Sequence, residues 1–79
     1  MQKFRKFVVS PKNPLNLKEL RNVRNLTQAD VGDLVKLSQK RICQLEANLG
    51  RTRFEQVLEI IFALKGRMTI ELPDSNENE

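Results

Sequence analysis

Histidine is absent from the chain, and cysteine occurs once, at Cys43. General-base chemistry near neutral pH is most often done by histidine, and a lone thiol lacks the imidazole partner that would activate it as a nucleophile. A zinc site would need an all-carboxylate ligand set, so no metal and no other cofactor is expected. The acids of residues 1–70 are dispersed and read as helix-surface charges, so an enzyme is not expected. Positive charge is what the chain has in quantity. Fourteen Lys and Arg stand against ten Asp and Glu, and four of the acids (Glu71, Asp74, Glu77, Glu79) fall in the last nine residues, which contain no base. Residues 1–70 therefore carry a net charge of +8. A compact domain that basic suits a polyanion, because bases that neutralise phosphates release condensed counterions; a solvated cationic surface is the other reading of the same charge.

With 79 residues, the chain has room for one domain with one modest core, and self-association or a partner is expected to supply part of its stability. No run approaches the ~20 apolar residues that cross a membrane, and the basic N-terminus leads into no signal-peptide core. A cytoplasmic location follows as the expectation.

Four helices are predicted to position the side chains. Residues 1–12 mix bases with Phe4, Phe7, Val8 and Val9 and end in Ser10-Pro11, which reads as an extended arm or short strand. Asn13-Pro14 offers a capping side chain and a first-turn proline, so the first helix is expected over 14–25, burying Leu17, Leu20 and Val23. Thr27, with Asp30 three residues on, is a short-armed capping box for a second helix carrying Val31, Leu34 and Val35. Ser38 caps a third, with Ile42 and Leu45, and Leu49 beyond them, on its apolar side and Gln39, Lys40, Cys43 and Gln44 on the other.

The fourth helix, about 53–65, has a wider apolar pattern. At ~100° per residue, Phe54, Val57, Leu58, Ile60, Ile61, Phe62 and Leu64 cover roughly 200° of its circumference, about twice what one small core needs. A subunit interface is the natural use of the excess. Gly66 is placed to stop this helix, and Met68-Thr69-Ile70-Glu71-Leu72 alternates with period two like a strand. A lone strand needs a partner: the N-terminal arm, the same strand of a second subunit, or another protein. Residues 73–79 begin with proline, are acidic and lack apolar side chains, so a disordered tail is expected.

The second and third helices are short and close in sequence, which fits an angled pair whose second member can enter a major groove. Gly32 sits mid-helix, where it costs ~1 kcal/mol relative to alanine, and close packing at the helix crossing is the expected compensation. The stretch 26–46, LTQADVGDLVKLSQKRICQLE, resembles the Xre/Cro-type helix-turn-helix family without a gap. The shared features are Thr27-Gln28, Gly32, Val35 and Leu37, the Ser38 cap, and Ile42, Leu45 and Glu46. With the flanking helices the resemblance covers about residues 14–65. It implies an all-α, lambda-repressor-like domain of four to five helices, followed by a short C-terminal β-strand paired across a dimer.

The resemblance also assigns roles. Gln28 matches a glutamine that hydrogen-bonds DNA phosphate. Gln39, Lys40 and Gln44 match positions that reach base edges, and the types suit: a glutamine amide pairs with adenine N6 and N7, a lysine donates to guanine O6 and N7. Ser38 and Arg41 can serve base or phosphate. Asn48, Arg51 and Arg53 flank the loop where the family contacts the backbone, positioning rather than specifying. Cys43 lies near the same face, where half-buried packing is expected ahead of a thymine-methyl contact. Arg21 and Glu46 match a structural ion pair. Lys36 stands where the family usually has glycine, so a positive φ there would strain it by about 1 kcal/mol. Ala47-Asn48 replaces the family's Asn-Gly.

More narrowly, the MTIEL strand with its polar tail and the Ser10-Pro11 lead into the first helix resemble the HipB-type antitoxins. That implies a homodimeric repressor of its own operon in the bacterial cytoplasm, on an inverted-repeat operator, with a HipA-like Ser/Thr kinase toxin as partner. A stand-alone phage or bacterial Xre-family regulator, or an antitoxin acting mainly by toxin contact, are the alternatives. The domain plan is an arm (1–12), a helix-turn-helix domain (13–66), a dimerisation strand (67–72) and a tail (73–79), with Ile60, Phe62, Met68, Ile70 and Leu72 expected at the dimer interface.

Overall fold

The computed structural model describes residues 3–74. It is an all-α arrangement of four helices: α1 (Leu17–Val23), α2 (Gln28–Val35), α3 (Gln39–Ala47) and α4 (Phe54–Ala63), with a 3₁₀ turn over Leu49–Arg51. No helix of the described residues is long and apolar enough to cross a membrane.

Asn16, not Asn13, caps α1, its Oδ1 accepting from the Glu19 N–H at 3.1 Å. Asn13 is already committed elsewhere. It exchanges two 3.0 Å backbone hydrogen bonds with Ser10 and donates its side-chain amide to the Val8 carbonyl at 2.8 Å, closing a tight turn around Pro11 and Lys12. The core-facing positions of α1 are Leu17, Leu20 and Arg21, at spacing i, i+3, i+4. Val23, expected in the core, falls off that face and is 40% exposed.

The capping box of α2 forms as expected. Thr27 Oγ1 accepts from the Asp30 N–H at 3.0 Å and Asp30 Oδ2 accepts from the Thr27 N–H at 2.9 Å. The Thr27 backbone N–H first, and the Thr27 side chain second, hold the Asp30 pKa below the usual aspartate value. At the other end Lys36 adopts the left-handed conformation (φ 62°), and the Leu37 N–H returns to the Gly32 carbonyl at 2.8 Å. Gly32 is needed here because a Cβ on it would run into the Leu37 carbonyl oxygen. Its close neighbour is therefore the backbone of the turn between α2 and α3, rather than α3 itself.

Ser38 caps α3 through the Arg41 N–H at 3.1 Å. Asn48 ends it with an ordinary φ of −132°, so the helix leaves through the 3₁₀ turn without needing glycine. Leu17, Val31, Ile42, Leu45, Val57, Ile60, Ile61 and Leu64 form the core, with α2 packed on both α3 and α4.

On α4 the wide apolar pattern resolves into two stripes. Val57, Ile60, Ile61 and Leu64 face the core, whereas Phe54 and Phe62 are 58% and 60% exposed and Leu58 between them is half-buried. Ile60, expected at a subunit interface, is thus a core residue of the single chain. The end of α4 also differs from expectation. Lys65 takes the left-handed conformation (φ 67°), and Gly66 follows it, donating its N–H to the Ile61 carbonyl at 2.9 Å.

Residues 66–74 form neither helix nor strand in the single chain, and Met68, Ile70 and Leu72 are exposed. The arm and this segment touch where the Arg67 guanidinium lies 4.0 Å above the Phe4 ring. Of the expected acidic tail, Pro73 and Asp74 are exposed; residues 75–79 lie outside the described residues.

Candidate nucleic-acid interface

One face of α3 is polar and fully presented to solvent. With Ile42 and Leu45 buried, the 100° helical step turns Gln39, Lys40, Cys43 and Gln44 outward, and all four are exposed. Cys43 is thus more open than the half-buried packing expected of it. Ser38 and Arg41 are also exposed. Ser38 Oγ accepts one hydrogen bond at the helix cap, and its hydroxyl hydrogen stays available. Asn48, Arg51 and Arg53 follow on the exit from α3, each exposed. Among the described residues the ion pair found is Arg21–Glu46, and Lys40, Arg41, Arg51 and Arg53 form none there.

α3 is braced against α1 and α2 by a polar cluster at its C-terminal end. Arg21 Nε donates to Glu46 Oε2 at 2.7 Å and Nη2 to Oε1 at 3.2 Å, a two-point guanidinium–carboxylate pair. A third Arg21 donor, Nη1, reaches the Leu26 carbonyl at 2.8 Å, fixing the link between α1 and α2. Both side chains are about nine-tenths enclosed, at 11% and 9% exposure. For Glu46, burial pushes the carboxyl pKa up. The hydrogen bonds from Arg21 and Gln28, with the positive charges of Arg21 and Lys18, outweigh it and leave the pKa below the usual glutamate value.

Gln28, the first residue of α2, belongs to this cluster. It is half-buried, and its Nε2 donates to Glu46 Oε1 at 3.1 Å. The structure therefore joins Gln28 to the Arg21–Glu46 pair, a link that sequence reading did not anticipate. Residues 21, 28 and 46 are too far apart in sequence for any local spacing to announce the contact. The basic exit residues Arg51 and Arg53 are displaced from this cluster along the chain, on the 3₁₀ turn and the start of α4. No family model, curated protein or solved structure matches the chain.

Proposed function

We propose that the chain is a sequence-specific, double-stranded-DNA-binding repressor with a lambda-repressor-like helix-turn-helix domain, acting by binding rather than catalysis. The observation that carries this reading is the exposed row Gln39, Lys40 and Gln44 on a helix braced by α1 and α2. These side chains offer amide and ammonium donors at the positions from which a helix in a major groove reads base edges. Gln28, Arg41, Asn48, Arg51 and Arg53 supply the phosphate contacts that set its register.

In this reading two copies associate through Phe62, Met68, Ile70 and Leu72, all exposed in the single chain, with residues 68–72 pairing as strands across the dimer. Two recognition helices then address successive major grooves ~34 Å apart on an inverted repeat. The narrower assignment, an autoregulating cytoplasmic antitoxin of a HipBA-like operon with a HipA-like kinase toxin as partner, rests on the sequence resemblance. The exposed apolar residues of the arm and the C-terminal segment favour a protein partner of some kind.

The test is selection of bound duplexes from a random pool at near-physiological salt. An enriched inverted repeat with half-site centres about one helical turn apart is the expected result. Salt-sensitive binding without enrichment would overturn the repressor reading and leave inhibition of a protein partner as the main function.

A further inference from the structure

We propose that Glu46 is a positioning residue for Gln28: its carboxylate fixes which end of the Gln28 amide faces an approaching phosphate. This rests on the phosphate-binding role assigned to Gln28 in the DNA-binding reading. A glutamine amide has a donor end and an acceptor end that exchange by a half-turn about its last bond. Presenting the nitrogen to a phosphate attracts it; presenting the oxygen repels it. At 3.1 Å from Nε2, Glu46 Oε1 can only accept, so it holds the nitrogen end on its own side. One Nε2 hydrogen is thereby committed to Glu46, and the second, which makes no hydrogen bond among the described residues, is left for a phosphate that approaches on that same nitrogen side.

The carboxylate is itself immobilised. Arg21 grips both of its oxygens, and the same guanidinium is tied to the Leu26 carbonyl two residues before Gln28. Three elements thus converge on one amide: α1 supplies the arginine, α3 the glutamate, and the α1–α2 link the fixed backbone. Arg21 has a second effect. Its charge balances Glu46, so the carboxylate orients Gln28 without confronting the phosphate with an uncompensated negative charge.

The test is a double-mutant cycle in the full chain, with the duplex obtained by selection as ligand and anisotropy as readout at fixed salt. Gln28→Ala is expected to weaken binding roughly 10-fold, the loss of one hydrogen bond to a charged group. Glu46→Ala is expected to weaken it roughly 5-fold in the wild-type background and less than about 1.5-fold in the Gln28→Ala background, because coupled residues are non-additive. Glu46→Gln, which keeps an oxygen acceptor, is expected to recover part of the loss. A purely structural Glu46 gives the same factor in both backgrounds, and that result overturns the inference while leaving the DNA-binding reading intact. If the wild-type chain binds no duplex, the reading itself fails and this inference with it. A measurement on the free wild-type protein guards against a variant that does not fold. The Gln28 side-chain amide is expected to show a ¹⁵N order parameter near that of rigid backbone, about 0.85, and a value under about 0.6 overturns the proposal.

Discussion

Lys36 holds φ 62° and ψ 44° at the C-terminal end of α2, a conformation that costs an L-residue with a Cβ about 1–2 kcal/mol. Its side chain is exposed and makes no hydrogen bond or ion pair among the described residues, so removing it forfeits no contact of that kind. Glycine relieves the strain but loses more chain entropy on folding, about 0.4–1 kcal/mol. The difference leaves Lys36→Gly more stable by about 0.5–1 kcal/mol. For a domain of this size that raises Tm by roughly 2–8 °C. Lys36→Ala separates strain from charge, since it removes the ammonium and keeps the Cβ; its stability is expected to stay within about 0.5 kcal/mol of the parent. Thermal melts at one protein concentration, with circular dichroism as the probe, measure both. If Lys36→Gly melts at or below the parent, or Lys36→Ala gains as much, backbone strain at Lys36 does not limit the stability of the fold.

Gly32→Ala gains ~1 kcal/mol of helix propensity but drives a methyl into the Leu37 carbonyl, and overpacking of 1–3 kcal/mol is expected to win, lowering Tm in the same assay. Glu46 has a depressed pKa in the folded state, so its contribution to stability is full above its ordinary value of 4.5 and is lost as pH falls through the folded value. Tm should therefore drop on acidification below about pH 4.5, and comparing the parent with Glu46→Gln isolates this component, because the variant lacks it. In DNA binding, Gln39→Ala should cost ~1–3 kcal/mol at one base position, whereas Arg53→Ala should weaken all duplexes alike and flatten the salt slope by about one unit. Competition with single-base operator variants distinguishes them, and equal losses on every sequence for Gln39→Ala would rule out base reading. If two copies associate as proposed, Phe62→Glu should raise their dissociation constant roughly 30-fold or more while leaving the monomer folded, since Phe62 is 60% exposed. Sedimentation velocity reads the change, and an unaltered dimer would exclude this helix from the interface.

What the sequence disclosed follows the range of the forces involved. The Thr27–Asp30 box and the Ser38 cap are local, set by residues three apart, and both form as read. The burial of Ile42 and Leu45 and the exposure of Gln39, Lys40 and Gln44 follow from the helical period alone. Where two local solutions compete, the sequence is ambiguous. Asn13 and Asn16 are both suitable caps, and the choice turns on Asn13 being held by Ser10 and the Val8 carbonyl. At the end of α4, glycine is the residue expected in the left-handed position, yet the last helical turn puts Lys65 there. The candidate site divides in the same way. Its solvent face was legible, but the Gln28–Glu46 contact spans 18 residues and exists only once α2 and α3 are folded against each other.

The two stripes of α4 also explain why the helix was hard to apportion from its sequence. Val57, Ile60, Ile61 and Leu64 have spacings of three and four and line one face, and Phe54, Leu58 and Phe62 step by four beside it. Read as one band, they make Ile60 as plausible an interface residue as Phe62, because both lie inside the apolar arc. Burial separates them, at 3% against 60% exposure. The consequence is a division of labour within ten residues: Ile60 contributes to the stability of the single chain, and Phe62 adds little to it. An aromatic residue kept in water on a well-packed helix gains from burial only when a second surface covers it. The stripe of Phe54, Leu58 and Phe62, with Met68, Ile70 and Leu72 beyond the helix end, supplies the apolar area for such a contact. Association through it would leave the eight core residues, and with them the brace that holds α3, untouched.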